Sequence, residues 1–149
     1  MPITEKPFTV IESPFSAPDI DGIVRNVKYT MLATRDSLSR GEAPYASHLF
    51  YTQMLDDNLQ SERQLGMDAG LTICHHAEQT AVYTDYGTSR GMEYGIKTAE
   101  AAGRSIVERR LFPDASSSEE VTALMLAEYA KHDPPSSVAI AAIYGRILK

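Results

Sequence analysis

The chain reads as an α/β protein, a small doubly wound, Rossmann-like parallel sheet with flanking helices and a C-terminal two-helix extension. Two observations lead there. Short β-branched apolar runs alternate with longer stretches of helical spacing, and several of the runs end in polar or glycine-bearing loops. Strand, helix, strand, helix, strand, helix, strand is the order expected of parallel strands joined by crossover helices.

Phe8-Thr9-Val10-Ile11 is the first strand, stopped by Glu12-Ser13-Pro14. A Pro- and Gly-bearing loop leads into a helix over 23–39, where Ile23, Val27, Met31 and Leu38 fall near helical spacing and Gly41 supplies the stop. Residues 43–49 read as a short second strand entering a loop. A helix is expected over 61–75; Gly66 and Gly70 on it lower its intrinsic stability and permit close packing. Thr80-Ala81-Val82-Tyr83 is the third strand, followed by a glycine-bearing loop over 85–91 and a helix over 90–102. Gly103 ends that helix, and residues 104–108 form the fourth strand. Ligands of such sheets bind beyond the carboxyl ends of the strands. The loops Ser13-Pro14-Phe15, Ser47-His48 and Asp85 to Gly91 are therefore expected to converge on one crevice.

Residues 1–111 are expected to make the α/β domain and residues 112–149 the extension. Ser118 followed by Glu119-Glu120 is a strong helix start for a segment reaching Lys131, with Val121, Leu124, Met125 and Tyr129 on one face. His132-Asp133-Pro134-Pro135 breaks it, and a last apolar helix is expected over 138–148. Such an extension packs on its own domain or on a neighbouring subunit, to which Tyr129, His132 and Tyr144 would offer polar groups.

A length of 149 residues with 43% hydrophobic content suits one domain with one core. The formal net charge of -6 and the scattered basic residues argue against a nucleic-acid footprint. A single cysteine, Cys74, excludes an internal disulfide, and a buried inert thiol is the expected role. The N-terminus lacks a signal-peptide h-region and no run is long enough to span a bilayer, so a cytoplasmic protein is expected. His75 and His76 are adjacent on a helix end and make a poor metal pair, and neither metal nor cofactor is expected.

Glu93 is the leading candidate for chemistry. It falls in the first turn of a helix after a flexible strand-end loop, where free amides and the helix dipole favour an ionised carboxylate. A low-pKa carboxylate facing a crevice suits attack on an anomeric carbon. A helix-capping role explains the same local pattern, and on that pattern alone it is the stronger reading. Ser89 lies four residues before Glu93, however, which suits a capping box poorly.

Val82-Tyr83, Asp85 to Ile96 with Gly91-Met92-Glu93-Tyr94-Gly95 at its centre, and Ala101-Ala102-Gly103-Arg104 together resemble the nucleoside 2-deoxyribosyltransferase superfamily, which includes nucleotide N-glycosidases. The nearer likeness is to small uncharacterised phage and bacterial members. These share a block like Pro44, His48-Leu49, Leu55-Asp56-Asp57-Asn58, Glu62-Arg63 and Leu65-Gly66, so the similarity spans roughly residues 10–108. The resemblance implies that Glu93 is the glycosyl nucleophile, that the ligand is a nucleoside or its monophosphate, and that the chain forms homo-oligomers whose sites are completed by a neighbour. The superfamily's acidic residue before the third strand is replaced here by Gly70, with Asp68 nearby. Gly87 likewise stands where an Asp or Ser is usual, with Asp85 and Ser89 as nearby substitutes. The general acid is thus left among Asp68, Asp85, Asp56 and Asp57. The expected binding residues are Ser13, Pro14, Phe15, His48, Asp56, Tyr86, Thr88, Ser89, Arg90, Gly91 and Met92. Phe15 and Tyr86 are placed to stack on a base, and Thr88-Ser89-Arg90 to cradle a phosphate at a helix N-terminus. The expected reaction is hydrolysis or exchange of an N-glycosidic bond; a module that keeps the crevice and only binds nucleotide is the alternative.

Overall fold

The computed structural model describes residues 5–132 and Ile140. Four strands, β1 (Phe8–Glu12), β2 (Ala43–Tyr45), β3 (Gln79–Tyr83) and β4 (Ser105–Arg109), form one sheet in the order β2-β1-β3-β4, and every neighbouring pair is parallel. The connecting helices are α1 (Ile20–Ser39), α2 (Ser47–Phe50), α3 (Gln60–Cys74) and α4 (Arg90–Ala101), with α5 (Ser118–Lys131) after the last strand. The doubly wound α/β architecture expected from the sequence is the one observed. Among the described residues, no helix is long and apolar enough to cross a membrane.

Local chemistry explains most of the boundaries. Asp19 caps α1 by accepting from Gly22 N–H at 2.7 Å, and Gly41, at φ +82°, lets the chain leave the helix and enter β2. Gly103, at φ +68°, does the same between α4 and β4. The expected strand over 43–49 divides. Only Ala43–Tyr45 pair with β1, at the sheet edge where Pro44 costs no ladder bond, and Ser47–Phe50 turn into α2, followed by a 3-10 turn at Tyr51–Gln53.

The two faces of the sheet are covered differently. Ile11, Ala81 and Tyr83 point to the face where α1 packs through Ile23, Val27, Leu32 and Ala33. Met125 and Tyr129 of α5, with Ile140, join that core, so α5 packs on its own domain. The helix expected over 138–148 lies, apart from Ile140, outside the described residues. On the opposite face α4 reaches the strands through Met92 and Ala99, both buried. Helix α3 buries only Gly70 and Cys74. Its two glycines set its position: a β-carbon at Gly70 would stand 3.2 Å from Ser47 Cβ, and one at Gly66 3.2 Å from Leu55 Cδ1. Helix α3 therefore leans on α2 and the turn after it, and a gap remains between α3, α4 and the sheet.

Candidate active site

That gap is a cavity of about 620 Å³ at the carboxyl ends of the strands. Because side chains alternate along β1, Val10 and Glu12 face it while Ile11 faces α1. Ser13, Phe15, Ser47, His48 and the α4 start at Ser89-Arg90-Gly91 also line it, so the three loops expected to converge each contribute. Helix α3 presents Arg63, Gly66, Met67, Gly70, Leu71 and Cys74, a single face at helical spacing.

Glu12 is the acid on the floor of this cavity, and sequence reading missed it. Burial raises its pKa to about 8 against a lowering pull from Arg104, so at neutral pH the carboxyl is mostly protonated. Among the described residues it has no hydrogen-bond or ion-pair partner. Arg104 is engaged beneath the floor, donating to Cys74 O at 2.6 Å and Thr80 Oγ1 at 3.2 Å. Gly95 makes room for the acid, since a β-carbon there would fall on the Glu12 carboxyl. The available signals were a charge closing an apolar strand and a glycine one helical turn into the facing helix. The Cys74 thiol is buried and pushed up to about 11, which disfavours the thiolate at neutral pH.

His48 sits across from β1 on α2. Its Nε2 lies 3.0 Å from Ser13 Oγ and 3.3 Å from Thr30 Oγ1, and burial lowers its pKa to about 4. The imidazole is neutral at pH 7. At the mouth, Asp57 and Arg63 line the cavity with Arg90. Asp57 is raised by desolvation, with Arg63 opposing the shift.

Several expected site residues lie elsewhere. Glu93 is exposed and does not line the cavity. The cavity face of α4 runs through Gly91, Gly95 and Thr98, and at about 100° per residue Glu93 lies roughly on the opposite side. It is not the capping acid either: Ser89 caps α4 by accepting from Met92 N–H at 3.3 Å, and the Met92 sulfur accepts from Ser89 N–H at 3.4 Å. Asp68 is exposed, off the lining face of α3, and accepts from Gln64 Nε2 at 2.7 Å. Asp85 is buried on the other side of the sheet. It accepts from Tyr29 Oη at 2.6 Å, Leu111 N–H at 2.8 Å and Phe112 N–H at 2.7 Å, which fixes the chain after β4 and commits its oxygens away from the cavity. Tyr86 also turns away, its hydroxyl 2.8 Å from Thr122 Oγ1 on α5 and its ring under the Arg25 guanidinium. Thr88 is exposed outside the cavity, Pro14 is buried behind it, and Asp56 accepts from Asn58 N–H at 2.9 Å while its neighbour Asp57 reaches the lining. Of the tail groups, His132 pairs with Glu128 at 3.1 Å and Tyr144 lies outside the described residues. No group of three His, Cys, Asp or Glu side chains among the described residues is arranged to hold a metal ion.

Residues 7–109, from the start of β1 through β4, match the model of a domain of unknown function, DUF7768, and the chain belongs to that family. The matched span contains every cavity residue named above and ends before α5. No curated protein matches the chain.

Proposed function

We propose that the chain hydrolyses the N-glycosidic bond of a nucleoside monophosphate, with Glu12 as the acid that protonates the departing base and without Glu93 as a nucleophile. One observation carries this reading: a protonated, unpartnered carboxyl on the floor of a cavity whose volume suits a mononucleotide. Departure of a base needs a proton on its ring nitrogen. Glu12 donates that proton, the C1′–N electrons leave with the base, and an oxocarbenium-like sugar remains for water to capture. Attack by Glu12 itself would need the ionised form, which burial disfavours, so direct capture by water suits this site better than a covalent intermediate. The phosphate belongs at the mouth, against Arg90, Arg63 and the free amides of the first turn of α4. The base belongs among Val10, Leu71 and Phe15.

A binding role without turnover is favoured by a different observation. Apart from Glu12 the lining offers one acid, Asp57, and that stands at the rim beside Arg63. The two readings separate when the protein is incubated with a panel of nucleosides and 5′-monophosphates and free base is read by chromatography. Base release is expected from a monophosphate, lost by about 100-fold or more in Glu12→Gln and unchanged in Glu93→Gln. A ligand retained and recovered intact supports binding alone. If no panel member binds, both readings fall.

A further inference from the structure

We infer that His48 is the base that accepts the proton of the attacking water, through an Nδ1 left bare because a chain of hydroxyls holds the ring as its Nε2–H tautomer. This rests on the hydrolytic reading above. Each step of the chain follows from counting hydrogens. Thr30 Oγ1 lies 2.9 Å from Asn26 O, and since a carbonyl has no hydrogen, the Thr30 hydroxyl donates there. Ser13 Oγ lies 2.5 Å from Thr30 Oγ1, whose single hydrogen is already committed, so Ser13 donates to Thr30. Ser13 Oγ then has only lone pairs to offer His48 Nε2 at 3.0 Å, and Nε2 must carry the hydrogen. A neutral imidazole has one N–H. Nδ1 therefore keeps its lone pair, has no hydrogen-bond partner among the described residues, and belongs to a ring that lines the cavity.

The cavity thus holds a donor and an acceptor in complementary states at neutral pH. Burial favours the uncharged form of both, moving Glu12 up to about 8 and His48 down to about 4. In the reaction the water O–H bond breaks as its oxygen bonds C1′, and that proton goes to Nδ1. The Glu12 proton leaves with the base. Return of one proton from His48 to Glu12 through solvent resets the site. Besides Glu12 and His48, the charged and titratable groups that line the cavity are Cys74 and Arg104 on the floor, Asp57, Arg63 and Arg90 at the rim, and the phenols Tyr51 and Tyr94, with no charged group bonded to the His48 ring.

Long-range 1H–15N spectra of the intact protein test the tautomer without any ligand. His48 is expected to show a bare Nδ1 and a protonated Nε2 from pH 8 down to pH 5, and Thr30→Val is expected to release the lock and mix the tautomers. An Nδ1–H tautomer, or an imidazolium at pH 6, overturns the inference. With a hydrolysed nucleotide in hand, His48→Ala is expected to lower kcat by about 100-fold or more with KM little changed, and to remove the acid limb of the pH profile. An unchanged rate in His48→Ala overturns the role of His48 and leaves Glu12 standing. A wild-type protein that turns over no panel member overturns both.

Discussion

On one face of the sheet α1 and α5 bury a continuous core and match the carboxylates they enclose with donors. Asp85 receives three hydrogen bonds, and Glu42 takes two from Arg109 and one from Ser37. On the other face α4 alone packs against the strands, α3 leans through its glycines on α2 and the turn after it instead, and the carboxyl and imidazole facing the gap keep atoms unpaired. The same four strands thus carry a face that stabilises and a face that holds unsatisfied chemistry. Unpaired polar atoms cost stability when buried; Tyr45 Oη and, on the closed face, Arg109 Nε are such atoms, but a carboxyl and an imidazole left bare beside a cavity are the ones a ligand can reach, and they mark where function is to be sought.

The largest expected effect lies on the closed face. Glu42 and Arg109 form an ion pair with each side chain 8% exposed, Nη2 to Oε1 at 2.5 Å and Nη1 to Oε2 at 2.9 Å. Removing one partner leaves the other charge stranded. Glu42→Ala is expected to cost about 3–5 kcal/mol in urea unfolding. The bonds from Arg109, opposed by desolvation and aided by Ser37, hold the Glu42 carboxyl at about 2 against 4.5. Its folded pKa is depressed, so this stabilisation is present above about pH 4.5 and is lost as pH falls towards 2. A variant that unfolds like wild type at pH 7 would break the contrast between the faces.

Glu12 should behave in the opposite sense. Its folded pKa is raised, so it favours the folded state most below pH 4.5 and opposes folding increasingly as pH climbs towards 8. Glu12→Gln removes that penalty. The variant is expected to gain roughly 1–2 kcal/mol at pH 8, less than the full shift would give because water enters the cavity, and to gain nothing at pH 4. Unfolding curves of the two proteins at pH 4 and pH 8 measure this. A destabilised variant at pH 8 would place Glu12 among structural carboxylates with Glu42.

The order and ends of the elements were legible in the sequence because they rest on local chemistry. Runs of β-branched residues, the Asp19 cap region and the stops at Gly41 and Gly103 each act within a few residues. The meeting of Ser13, His48 and Gly91 followed from the rule about strand ends. The identity of the acid did not follow, because it depends on the rotational phase of α4. Ala99 turns to the sheet, Gly91 and Gly95 turn to the cavity, and Met92, buried between the two, also lines the cavity as expected; this phase is fixed by packing that no local pattern records. Glu93 and Gly95 are two residues apart, yet one faces solvent and the other meets the Glu12 carboxyl. Tyr86 misled for a similar reason: its partner Thr122 lies on α5, more than thirty residues on, and nothing local announces that contact.

The smallest expected effect tests whether α3 is as loosely engaged as its burial suggests. Leu65 is 63% exposed on a helix that buries two residues, whereas Met125 on α5 is fully enclosed. Leu65→Lys removes apolar area that is already in water, keeps a good helix former, and adds a charge that bulk solvent screens. Its unfolding free energy is expected to stay within about 0.5 kcal/mol of wild type. A loss several times larger would mean that Leu65 is covered in solution, and the open face would then be closed by something other than this chain's described residues.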